Sequence, residues 1–369
     1  MKISFIRGAY LNNFEGQNYD LPITGYSSLF PVDSNVPFPL IKLPSIADLQ
    51  KVPFLNLPIK YSANRILGDS QVLFGLESHI KNADIVHIAD PHYYYAYQAA
   101  CMREKGFIKK LVSTWWETIP FNNEGTAAKK RLKRFVMNNT DLFICYTDKA
   151  KKCLIEEGVV PEKIRTISLG VDLVHFSKKR VIDPDTFTIL FVGRLVQEKG
   201  IRDLYDAFKL LVKEKNAVRL KIIGSGPLEK VFRKKIQNDR LTHVVSIERK
   251  TYASMVEQYH QADVLCVPSR STHTWEEQYG MVFIEAMACG IPIVSYDTGV
   301  IKSVVGNAGL IVDEDDIQGL TASIIRIIED KELGKKLGTM GRERARILYD
   351  SRKTRDAIFN LYKSLDARE

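Results

Sequence analysis

Short, largely apolar runs recur along the chain at residues 3–6, 85–88, 142–145, 188–192, 220–223, 264–267 and 292–295. Runs of four or five without polar alternation predict strands covered on both faces, as in a parallel sheet. Between them lie apolar positions at helical spacing, such as Leu204, Phe208, Leu211 and Val212, or Ile317, Leu320, Ile324, Ile327 and Ile328. Strand and helix alternate, which predicts α/β architecture. Residues 22–58 hold seven of the 14 prolines. Proline excludes a regular helix or a central strand there, so the segment reads as a long surface excursion of the kind that carries binding.

The 369 residues exceed what one hydrophobic core usually serves, so two domains are expected. The pattern breaks at residues 177–186, where Lys178, Lys179, Arg180 and Asp183-Pro184-Asp185 precede a fresh strand. The boundary is placed there, giving domains 1–177 and 178–350, with a last helix within 351–369 that returns to the first domain. No repeat of solenoid period is visible.

Apolar residues make up 45% and charged residues 26%, ordinary for a globular chain. Arg7 follows too closely on the first residues for a signal-peptide core, so a cytoplasmic chain is expected. Five scattered cysteines, without a C-x-x-C pair, argue against a zinc cluster or a disulfide framework. The formal charge of +9 is uneven: residues 101–180 hold 17 Lys and Arg against nine Asp and Glu. The basic helix there, with Lys129, Lys130, Arg131, Lys133 and Arg134, reads either as a solvated or domain-packing face or as a peripheral surface for an anionic membrane or phosphorylated acceptor. No nucleic-acid motif stands beside the charge, so nucleic acid is not an expected partner.

Three constellations carry candidate chemistry. Gly193-Arg194-Leu195 and Glu198-Lys199-Gly200 follow a strand and set two cations five residues apart, suited to converge on a diphosphate at the carboxyl edge of a sheet. Gly224-Ser225-Gly226-Pro227 follows the next strand, but Glu229 stands where a dinucleotide fingerprint needs its third glycine. It reads equally as a close backbone approach to a ligand or a plain tight turn. Glu277 and Glu285 flank Gly280, where a loop turns into a helix whose free N–H groups at Gly280, Met281 and Val282 suit a phosphate, with Glu285 one turn inside.

In order, these segments resemble the donor domain of the GT-B glycosyltransferases, in particular the large retaining family four, over residues 160–345. The family's G-R-L, E-K-G, G-x-G-P, E-x-F-G-x-x-x-x-E and G-x-P are met residue by residue, with Tyr279 in place of phenylalanine. The resemblance implies two facing Rossmann-like domains around a cleft and metal-independent transfer of a sugar, with retained configuration, from a nucleotide-diphosphate sugar to a hydroxyl acceptor. It implies no cofactor beyond that substrate. Arg194 and Lys199 would hold the donor diphosphate and Glu277 the sugar hydroxyls, these three forming the catalytic set. Glu285 would hold the ribose, with Gly8, Gly193, Gly224, Gly280, Met281 and Val282 lining the donor.

The chain also departs from the family. Asp297-Thr298-Gly299 replaces the usual two glycines before proline and glutamate, and Trp116 stands where relatives carry a histidine. Trp116, Glu117 and His92 are therefore the acceptor candidates, for a glycan or lipid-linked acceptor. Asp183-x-Asp185 falls ahead of a strand rather than after one, and Asp313 to Asp316 reads as a helix cap, so no metal ligand is assigned. Two other readings stay in view, a nucleotide-sugar epimerase on the same scaffold and a non-catalytic sugar-nucleotide-binding subunit.

Overall fold

The computed structural model describes residues 1–51, 58–177, 183, 185–215 and 217–367. The chain forms two compact units, residues 1–169 with 351–369, and residues 170–350. Each is built on one parallel sheet.

The first unit carries seven strands: β1 (Ile3–Gly8), β2 (Ile23–Ser28), β3 (Leu40–Leu43), β4 (Ile85–Ile88), β5 (Lys110–Trp115), β6 (Leu142–Cys145) and β7 (Ile164–Thr166), ordered β3-β2-β1-β4-β5-β6-β7. The second carries six: β8 (Phe187–Val192), β9 (Val218–Ile223), β10 (Val245–Glu248), β11 (Val264–Cys266), β12 (Ile293–Tyr296) and β13 (Gly309–Val312), ordered β10-β9-β8-β11-β12-β13. Every apolar run expected to be a strand lies on one. In both sheets the order reverses beside the first strand, between β1 and β4 and between β8 and β11. Ligands of open α/β sheets bind at the carboxyl ends of strands flanking such a reversal.

The proline-rich segment differs from its expected form. It contributes β2, paired with β1 along Ile3–Ile23 to Ile6–Tyr26, and β3 at the edge. Pro22 and Pro39 each stand just before a strand, where a missing N–H costs the ladder nothing. Residues 52–57 of this segment lie outside the described residues.

The division between units also falls earlier than expected. Val171 bridges Asp350 and its N–H donates to Tyr349 O, while the Phe176 ring packs on Tyr252 and Tyr259, so residues 170–177 belong to the second unit. Residues 178–182 of the expected linker lie outside the described residues.

The helix Ser351–Asp366 belongs to the first unit. Its buried Tyr362 hydroxyl lies 2.6 Å from His87 Nδ1, and His87 Nε2 lies 2.9 Å from Thr114 Oγ1. Thr114 in turn accepts from the fully buried Arg7, whose guanidinium also meets Glu15 at 3.0 Å. Burying these charges is tolerable because each is paired and hydrogen-bonded. The network ties β1, β4, β5 and the last helix together.

Candidate active site

In the second unit the turns after β8 and β9 close on each other. Gly193 N–H donates to Ile223 O at 3.0 Å and Leu195 N–H to Ser225 O at 2.9 Å. A Cβ on Gly224 would stand 1.9 Å from Gly193 O, so backbone packing alone accounts for the glycine.

At the reversal, the loop after β8 meets the loop after β11. Arg270 N–H donates to Glu198 O at 2.8 Å, and Lys199 Nζ lies 2.5 Å from Glu277 Oε2. Ser269 Oγ donates to the same Glu277 oxygen at 3.1 Å, and the Lys199 ammonium sits 4.9 Å from the Trp275 ring centroid. Arg194 is exposed and has no ion pair among the described residues. One cation is thus held by a carboxylate, and the other is free to meet an anion.

Gly280, at φ +76, precedes the helix Met281–Cys289 in a left-handed conformation that glycine adopts without strain. Met281 and Val282 are half-buried while the rest of the helix is buried, so its first turn is its accessible end. First-turn N–H groups without intrahelical partners, together with the helix dipole, favour an anion there. Glu285 is buried and accepts from the Tyr259 hydroxyl at 2.6 Å. Burial pushes its carboxyl up to about 7 although Tyr259 and Tyr252 hydrogen bonds pull the other way.

Further contributors lie outside the residues assigned to the site from the sequence. Gly299, at φ +57, lies so close to Glu277 that a Cβ would be 2.2 Å from its carbonyl oxygen, and Val300 N–H donates to that oxygen at 3.0 Å. The departure at residues 297–299 therefore fixes the backbone of Glu277. Arg270 pairs with Asp203 at 2.5 Å and with Asp315, while Glu314 accepts from Ser271 N–H at 2.9 Å. Asp316 caps its helix through Gly319 N–H, as expected, but its two neighbours hold the β11 loop. Only the glycine carried a local signal; the ion pairs join residues far apart in sequence.

In the first unit a cavity of about 830 Å³ opens at the carboxyl ends of β1 and β4. His92 lines it, held neutral by burial and by Lys129 and Lys133, its imidazole pushed down to about 3. Glu117 is buried and takes four donors: Thr118 and Ile119 N–H, and the side-chain amides of Asn122 and Asn123. The carboxylate thereby organises two asparagines of the cavity wall. Trp116 packs edge-on against Tyr146 at 4.4 Å, and its backbone N–H donates to Asp90. At Gly8 a Cβ would meet Gln71 Oε1 at 2.3 Å, so packing inside this unit explains that glycine.

The basic helix, Ala127–Asn139, does not present its five cations on one face. Lys133 is buried, 2.5 Å from Glu157 and 3.3 Å from Glu124, and Lys129 lines the cavity. Lys130, Arg131 and Arg134 form the exposed ridge. Among the described residues no helix is long and apolar enough to cross a membrane, and no cluster of three His, Cys, Asp or Glu is placed to hold a metal.

Residues 175–344 match the family model described as glycosyl transferases group 1, and residues 38–175 match that described as glycosyltransferase family 4. The chain belongs to the group 1 glycosyltransferases. An uncharacterized glycosyltransferase of Methanocaldococcus jannaschii is 27% identical over 260 residues, 68% of this chain and 69% of the relative. The phosphatidyl-myo-inositol mannosyltransferase of Mycolicibacterium smegmatis is 30% identical over 203 residues, 53% of this chain but only 50% of the relative. Among solved structures, Anabaena HepE in complex with UDP superposes with a TM-score of 0.75 at 17% identity, covering 99% of this chain and 100% of that one. The fold of this glycosyltransferase is accordingly GT-B.

Proposed function

We propose that this glycosyltransferase moves a hexose-type sugar from a nucleoside-diphosphate sugar to a hydroxyl of a lipid-linked or cell-surface glycan precursor, with retained configuration and without a resident metal. The observation that carries the reading is the arrangement at the β8–β11 reversal: free Arg194, Lys199 held by Glu277, and the accessible first turn of the helix after Gly280.

In the reaction the bond from the anomeric carbon to the diphosphate oxygen breaks, the acceptor oxygen bonds to that carbon, and the acceptor proton leaves with the diphosphate or to solvent. Negative charge grows on the leaving diphosphate. Arg194, Lys199 and the helix N–H groups meet that charge, and one such preorganised donor typically lowers a barrier by about 3 kcal/mol. Glu277 orients Lys199 and offers its second oxygen to sugar hydroxyls. Glu285 meets the ribose.

UDP is the first nucleotide to try, because HepE, a structural neighbour, was solved with it. A lipid-linked acceptor accords with the mannosyltransferase relative, whose name specifies a phosphatidylinositol. Work at the cytoplasmic face of a membrane, through the ridge of Lys130, Arg131 and Arg134, completes the reading. The test is a panel of nucleotide sugars incubated with the chain and glycan or glycolipid acceptors, with and without EDTA, followed by NMR of the product. Nucleotide release with an unchanged anomeric configuration in both conditions is expected. Inversion, or loss of turnover reversed by magnesium, would refute the stereochemical or the metal part respectively.

A further inference from the structure

The cavity of the first unit is amphipathic. Its lining combines polar Asp69, His92, Asn122, Asn123 and Lys129 with apolar Phe30, Pro31, Val32 and Ala47. Tyr10 and Tyr93 also line it, with ring centroids 5.4 Å apart. Among the described residues the charged side chains on the wall are Asp48, Asp69 and Lys129, so carboxylates outnumber ammonium groups there. A phosphate head is poorly served there. Uncharged hydroxyls, which both donate and accept, are served well by amides, a carboxylate and a neutral imidazole.

The apolar lining residues belong to an exposed strip of the chain. Leu29 is 40% exposed, Phe30 52%, Val32 71% and Tyr10 53%. The strip is held in place rather than left to collapse: Leu29 N–H donates to Asp48, Val32 N–H to Ala9 O at 3.1 Å, and Asp33 N–H to Leu11 O at 2.9 Å. Large apolar side chains fixed in water around the mouth of a polar cavity mark a binding groove.

We propose that the acceptor is an amphiphile, an uncharged saccharide head that enters this cavity and an apolar chain that lies along Leu29, Phe30 and Val32. This rests on the glycosyltransferase reading above and narrows its acceptor. Tyr10 and Tyr93 supply flat apolar faces for the sugar ring. Asp69 and the Asn122–Asn123 pair, held by Glu117, meet its hydroxyls.

The test uses the full chain and pairs of methyl and n-octyl glucosides, galactosides and mannosides, titrated below the octyl critical micelle concentration by calorimetry. In at least one pair the octyl glycoside should bind roughly tenfold more tightly, which about two buried methylenes would supply. Phe30→Ser with Val32→Ser, both exposed positions, should abolish that advantage and leave UDP binding unchanged. Equal affinity within every pair, an octyl advantage that survives the double substitution, or no binding by any glycoside would overturn the proposal. UDP titrated into the same samples reports on the donor reading separately, since failure there refutes that reading whatever the glycosides do.

Discussion

The Lys199 ammonium lies 2.5 Å from the Glu277 carboxylate, and the pair joins the loop after β8 to the loop after β11. Glu277 is buried and also takes the Ser269 hydroxyl, so the lysine is anchored to a fixed carboxylate rather than to a mobile surface group. Exchanging Glu277→Gln removes the charge and keeps the shape. Turnover of a nucleotide sugar should fall roughly 100-fold, the scale of one lost transition-state contact. Affinity for the nucleoside diphosphate should hold or rise, because the carboxylate no longer opposes an anion. Steady-state kinetics beside calorimetry separate the two effects.

Gly299→Ala should act through Glu277. The added Cβ meets the Glu277 carbonyl, and φ +57 costs a side chain about 1–3 kcal/mol of strain. Donor turnover should fall with stability. Gly158→Ala is the matched control, with φ +95 and nothing within 4 Å of its Cβ, so it bears strain without touching the site. Equal activity in the two variants would show that Glu277 does not depend on Gly299.

Lys133 separates the buried from the exposed part of the basic helix. Lys133→Gln leaves Glu157 and Glu124 without their shared partner, and breaking a buried pair typically costs about 3–5 kcal/mol. Lys130→Gln and Arg134→Gln should change stability by less than about 1 kcal/mol, as exposed positions do. Urea unfolding of the three variants measures the difference.

Burial raises Glu285 from its ordinary 4.5 to about 7. The folded chain therefore holds a proton that the unfolded chain releases between those values, and stability contributed by this group falls as pH rises through the window. The loss is complete above about 7 and is on the order of 3 kcal/mol, at 1.36 kcal/mol per unit. Glu285→Gln should flatten that part of the profile. Urea midpoints at pH 5 and pH 8 for both proteins check it, and parallel profiles would remove Glu285 as the cause.

The buried strands were readable because a strand covered on both faces is buried at every position and largely apolar, as in β4, where His87 is the one polar residue, and β6. The strands β2 and β3 were hidden by flanking prolines that punctuate strand starts as readily as they forbid strands. β7 is only three residues long, and β10 alternates buried and half-buried positions, so neither forms a continuous apolar run. At the candidate site, Arg194, Lys199, Glu277 and Gly280 sit in local motifs of strand end, turn and helix start. The Arg270 pairing with Asp203 and Asp315 spans 67 and 45 positions of sequence, and spacing carries no trace of it. The same holds for Lys133, whose burial depends on Glu157 arriving from another element.

The account turns on a nucleoside diphosphate bound by Arg194 and Lys199 in the second unit. The direct measurement is calorimetric titration of UDP, GDP and ADP into the native chain, Arg194→Ala and Lys199→Ala. The native chain should bind at least one nucleotide, and each variant should bind that nucleotide at least roughly tenfold more weakly, about 1.4 kcal/mol. No binding of any nucleotide to the native chain, or undiminished affinity in both variants, would contradict it.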